Sequence, residues 1–213
     1  NVTASGSGSA AVGYLVNTTG NQAFGAGSNT TVSGPAAVGI GYKSEATGNR
    51  ALALGSELNG TNNGATADYA IAVGAGARGT ADSATAIGKQ ANASSSNAIA
   101  LGAETVASTG AATAVGYGAS VTNTGSSWGG TAVGAKATVT GMNGVAVGRA
   151  SKASGKRAIA IGAGNNNDAT DSTEFTEAGG ESSIALGSNT KATQGSGVAI
   201  GNATTGDIKA ILG

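Results

Sequence analysis

One phrase recurs along the 213-residue chain, and its spacing constrains the fold more than any other property of the sequence. NAIALG ends at Gly102, NGVAVG at Gly148, RAIAIG at Gly162, SSIALG at Gly187 and SGVAIG at Gly201. Degraded copies are read as ending at Gly13, Gly25, Gly39, Gly55, Gly74, Gly88, Gly116 and Gly134. The twelve intervals between these thirteen glycines are 12, 14, 16, 19, 14, 14, 14, 18, 14, 14, 25 and 14. Seven equal 14, so 14 residues form the unit and the larger intervals hold insertions.

Within the phrase, Ile99 and Leu101 alternate with Ala98 and Ala100, the period of a strand and not of a helix. A weaker alternation follows each glycine, as in Ala91-Asn92-Ala93-Ser94 and Thr190-Lys191-Ala192-Thr193. Two short strands and two tight turns use up about 14 residues, which is one coil of a solenoid. Coils stacked in parallel about 4.8 Å apart predict a rod on the order of 60 Å long. The inward side chains are expected to be a mixture of Val, Ile, Leu and Ala. The recurrent glycine is expected to mark a turn with positive φ or a close approach of stacked backbones. Such a thin coil barely offsets the entropy of ordering it, so lateral association into a homotrimer is expected.

Composition narrows the function. The chain has 39 glycines, no cysteine and no histidine, and 3% of its residues are aromatic. Thiol nucleophiles, disulfides, Cys/His zinc sites and histidine-based triads are therefore excluded, and no catalytic, cofactor-binding or metal-binding residue is expected. Eleven basic and eleven acidic residues balance, so no overall field attracts nucleic acid or an anionic membrane. The stretch Gly74-Ala75-Gly76-Ala77-Arg78-Gly79 fits G-x-G-x-x-G, but no helix follows it, and it reads as a repeat turn.

Chemically distinctive residues collect in a few places. Arg149, Lys152, Lys156 and Arg157 lie within nine positions, a patch that threefold symmetry would repeat into a basic ring. The longest insertion follows, between Gly162 and Gly187, with Asp168, Asp171, Glu174, Phe175, Glu177 and Glu181. Its acidic spacing is not that of an EF-hand, and it is expected to loop out without interrupting the stack. Trp128, the only tryptophan, sits in another insertion. A lone exposed Trp is a frequent binding anchor, although packing against the coil is the plainer reading.

The phrase NAIALG followed by x-x-A/S/T-x-A, at a 14-residue period from Gly13 to Gly201, resembles the SVAIG-type repeat of YadA-like heads of trimeric autotransporter adhesins. The resemblance implies a left-handed parallel β-roll, three chains about one axis, and display at the bacterial cell surface outside the outer membrane. Residues 1–213 would form a single repetitive head domain, a piece of a longer chain whose stalk and membrane anchor lie elsewhere, with no direct membrane contact of its own. The expected activity is multivalent, non-covalent attachment to extracellular-matrix proteins, cell-surface receptors or sister bacteria. The alternative is a passive spacer in a surface fibre. An ice-binding solenoid is disfavoured because the Thr positions drift from coil to coil.

Overall fold

A computed structural model describes residues 1–61, 63–122, 129–164 and 175–202. The protein is an all-β parallel solenoid without helix among the described residues, and it packs as two compact units, Asn1–Thr105 and Val106–Gly213. Each coil is a phrase strand such as Ile71–Val73, a glycine turn, a return strand such as Arg78–Gly79, and a second turn. The first unit holds seven coils, with phrase strands from Ala10–Tyr14 to Ile99–Leu101 in one parallel sheet and return strands from Thr3–Ala4 to Asn92–Ala93 in another. The second holds six, with phrase strands from Thr113–Val115 to Val198–Ile200 and return strands from Val106–Ala107 to Lys191–Ala192. Register is strict: Ile71 lies beside Thr85 and Thr85 beside Ile99, one repeat per step.

A typical coil sends four side chains inward, for example Ala84, Ala86, Ala91 and Ala93, all at 0% exposure. The mixed aliphatic core expected from the sequence is therefore corrected. Alanine fills the interior, while the large residues of the phrase point out, as with Ala160 at 0% and Ile161 at 39% exposure. A 14-residue coil brings its two sheets so close that a methyl group fits between them and an isoleucine does not. The few interior valines obey the same limit. Val32 sits where Gly25 and Gly39 leave room, and a methyl on Gly39 would lie 2.6 Å from its Cγ2. Val121 likewise faces Gly130, where a methyl would lie 2.7 Å away.

This packing also corrects the reading of two degraded copies. Backbone register aligns Gly13 with Gly27, Gly27 with Gly41 and Gly41 with Gly55, so Gly27 and Gly41 close the phrase and Gly25 and Gly39 are interior positions. With the glycines so placed, nine of the twelve intervals equal 14. The phrase glycines do need their identity: Gly88 has φ +135°, and a Cβ there would overlap the carbonyl of Gly102 in the next coil.

The A/S/T position three residues after that glycine has its own cause. Where it is a threonine or Ser151, the group donates to a phrase-glycine carbonyl at the turn, whereas Ser44 donates to Ala53 O and Asn63 Oδ1. Thr105 Oγ1 reaches Gly102 O of its own coil at 2.8 Å, and Thr30 Oγ1 reaches Gly41 O of the next at 2.7 Å. The hydroxyl satisfies an acceptor that a buried turn would otherwise leave unpaired.

The insertions leave the stack intact, as expected. Ile159–Ile161 pairs in register with Ile184–Leu186, and Lys152–Ala153 with Glu177–Ala178, across the longest of them. Trp128, Asp168, Asp171 and Glu174 fall outside the described residues.

Candidate binding surface

Because the interior takes only small side chains, the chemistry of each coil is displayed on its two outer faces. Outside the phrase sheet the row is aliphatic: Ile87, Ile99 and Leu101 in the first unit, and Ile161, Leu186 and Ile200 in the second, all exposed. Outside the return sheet the row is polar. In the first unit it runs Asn17, Thr31, Glu45, Gly64, Arg78 and Asn92, and in the second, after Val106, it runs Ser120, Thr138, Lys152, Glu177 and Lys191.

The end of the second unit's polar row is the most elaborated surface there. Lys152, Glu177 and Lys191 occupy successive steps of one ladder. Glu177 Oε1 lies 3.1 Å from Lys152 Nζ and accepts from Ser154 Oγ at 3.3 Å. The Phe175 ring spans the row, its centroid 5.4 Å from Lys152 Nζ and 4.9 Å from Lys191 Nζ. An aromatic face between two ammonium groups is held by cation–π attraction, which orients a large apolar side chain outside the core. Two lysines against one carboxylate leave this cluster with a net positive charge.

The sequence-predicted residues are only partly brought together. Lys152, Phe175 and Glu177 converge. Lys156 and Arg157 lie at the turn between return and phrase strands, where Arg157 Nη2 meets Glu181 Oε1 at 2.8 Å and Lys156 Nζ lies 3.9 Å from the same oxygen. Arg149 follows Gly148 at the other turn and forms no ion pair among the described residues. Four cations adjacent in sequence are thus spread around the circumference of a coil. Lys191 was missed, since its place in the ladder comes from being one repeat beyond Glu177, a spacing of 14.

The first unit carries a smaller insertion after Gly55. Leu58 and Thr61 exchange backbone hydrogen bonds at 2.9 Å, Glu57 Oε1 accepts from the Gly60 N–H at 3.0 Å, and Glu57 pairs with Lys43. The hydrogen bond from Lys43 holds the Glu57 carboxyl below its ordinary range, against a smaller opposing effect of desolvation, and Glu57 in turn raises Lys43. A depressed carboxylate contributes stability above its unfolded value and loses it as pH falls through its folded value. Hydrogen exchange at the Gly60 amide, corrected for the intrinsic rate, is expected to stay constant from neutral pH down and to accelerate only below about pH 4. Acceleration already at pH 6 would remove Glu57 as the anchor of this loop.

Comparison with known families gives a match. The YadA head domain repeat matches residues 33–57, 80–105, 129–151, 140–165 and 178–204, together more than half of the chain. No curated protein matches the sequence.

Proposed function

The chain belongs to the YadA head family, whose members are surface-displayed heads of trimeric autotransporter adhesins, and from that premise we propose that it works as a homotrimer attaching a bacterium to matrix proteins, cell receptors or sister cells. Attachment is non-covalent and needs no bond making. The observation that carries this reading is the division of each coil into an aliphatic outer face and a polar one. Exposed rows of Ile, Val and Leu on a solenoid are surface that association removes from water, at about 25 cal/mol per Å². Three phrase sheets facing one axis would bury them, leaving the return sheets outward with their polar rows. The cluster of Lys152, Phe175, Glu177 and Lys191 then appears three times per trimer, and repetition turns a weak contact into firm attachment.

The test is the double variant Phe175→Ala, Lys191→Ala on displaying bacteria. Both residues are outside the core, so thermal stability is expected to change little, by about 0.5 kcal/mol or less. Attachment to matrix-coated surfaces is expected to fall roughly tenfold, because each trimer loses three contacts at once. Unchanged attachment on every surface, with the trimer intact, would favour the spacer reading and move adhesion off these residues.

A further inference from the structure

The polar row of the first unit contains a notch that the fold does not require. At the ladder position taken by Thr31, Glu45, Arg78 and Asn92 in neighbouring coils, the fifth coil has Gly64. Unlike the phrase glycines, Gly64 is not held at positive φ, and a Cβ there would meet only ordinary neighbours, Thr66 Cγ2 at 3.4 Å and Glu45 Cβ at 3.9 Å. Glycine in a strand interior is destabilising by roughly 0.5–1 kcal/mol relative to alanine. Backbone geometry therefore does not call for it, and its effect is to leave space.

That space is a hollow open to solvent on one side and walled on the others. Glu45 and Arg78 stand on either side, two ladder steps or about 10 Å apart. Thr66 and Thr80, and Gly60 and Thr61 of the insertion, complete the lining. The insertion is held by the Leu58–Thr61 bridge, the Glu57 hydrogen bond and the Lys43 pair described above. The cavity measures about 330 Å³, the lower end of the range for small-molecule sites. The Arg78 guanidinium is exposed and forms no ion pair among the described residues.

We propose that the notch over Gly64 is a binding site for one acidic pyranose residue, its carboxylate on Arg78 and its hydroxyls on Glu45, Thr66 and Thr80. A planar guanidinium donates two parallel hydrogen bonds to a carboxylate. At the far end, the Glu45 carboxylate has acceptor capacity for vicinal ring hydroxyls beyond any bond it already makes. The threonine hydroxyls both donate and accept, as sugar hydroxyls require. A wholly anionic ligand would be repelled at the Glu45 end, and a neutral sugar would leave the guanidinium unmatched. A sugar with one charged end fits both. The inference deepens the adhesive reading by naming a ligand class, but it stands on residues separate from Phe175 and Lys191, so either proposal can fail alone.

The experiment is saturation-transfer NMR on the whole chain, titrating glucuronic acid, its methyl ester and glucose. Glucuronic acid is expected to bind in the millimolar range, and the ester and glucose roughly tenfold more weakly, the loss of one charge-assisted contact. Arg78→Gln should bring glucuronic acid down to the level of glucose without changing the melting temperature. Gly64→Thr, which fills the notch from its floor, should abolish the transfer for all three sugars. Equal binding of glucose and glucuronic acid, or glucuronic acid binding unchanged in both variants, would overturn the proposal. So would the absence of any transfer from glucuronic acid at tens of millimolar. Attachment of bacteria carrying Phe175→Ala, Lys191→Ala is a separate readout and does not enter this one.

Discussion

Gly88→Ala is expected to destabilise the first unit by roughly 3 kcal/mol or more per chain, whereas Gly64→Ala in the same unit should stabilise it by about 0.5–1 kcal/mol. The chemical change is identical, one methyl group, so the opposite signs come from position alone. At Gly88 the backbone has φ +135°, which side chains rarely adopt, and the new Cβ would overlap the carbonyl of Gly102. The next coil cannot yield without lengthening its own ladder hydrogen bonds, such as Gly102 N–H to Ile87 O at 2.8 Å. At Gly64 the methyl meets nothing closer than 3.4 Å, and the substitution restricts the unfolded chain. Thermal melts of the two variants followed by circular dichroism decide the matter. A 3 kcal/mol loss corresponds to a fall of more than about 10 °C for a unit of this size. Equal melting temperatures would mean that the phrase glycine is not a constrained corner.

The second large effect is expected on the aliphatic face. The double variant Ile161→Glu, Leu186→Glu places two charges where the isolated chain leaves the side chains 39% and 40% exposed. A chain acting alone would tolerate them, since surface substitutions mostly stay within about 0.5 kcal/mol. In a trimer that buries this row, six carboxylates would lose water around one axis, at a cost on the order of 5 kcal/mol per chain once the lost apolar burial is included. Light scattering coupled to size exclusion should show the wild type at three chains, with a melting temperature that depends on protein concentration, and the variant dissociated. A variant that remains trimeric with unchanged stability would place the interface on another face.

The sequence alone determined the architecture, because a solenoid writes its geometry into a single period. Phrase and spacing predict two short strands per 14 residues, and the strands, their parallel stacking and its continuity across the long insertion all follow, although Glu177, read as part of that insertion, belongs to a return strand. The glycine of the phrase was legible for the same reason, as one residue type recurring at one corner. The first copies were the exception. In GYLVNTTGNQAFGAG, glycines fill both the corner and an interior site, and only pairing distinguishes Gly25 from Gly27.

Tertiary structure decided which way the phrase faces and which charges meet. Alternation of Ile and Ala fixes that they lie on opposite faces, but not which face is inside. The narrow gap between the sheets settles it, since alanine fits there and isoleucine does not. For the surface, nearness along the chain misleads. Residues a few positions apart turn around the circumference of the coil, so Arg149, Lys152 and Arg157 diverge. Residues separated by one repeat stack directly, so Glu177 and Lys191 become neighbours about 4.8 Å apart. An insertion hides even that rule, for Lys152 and Glu177 are 25 positions apart and still adjacent in the ladder.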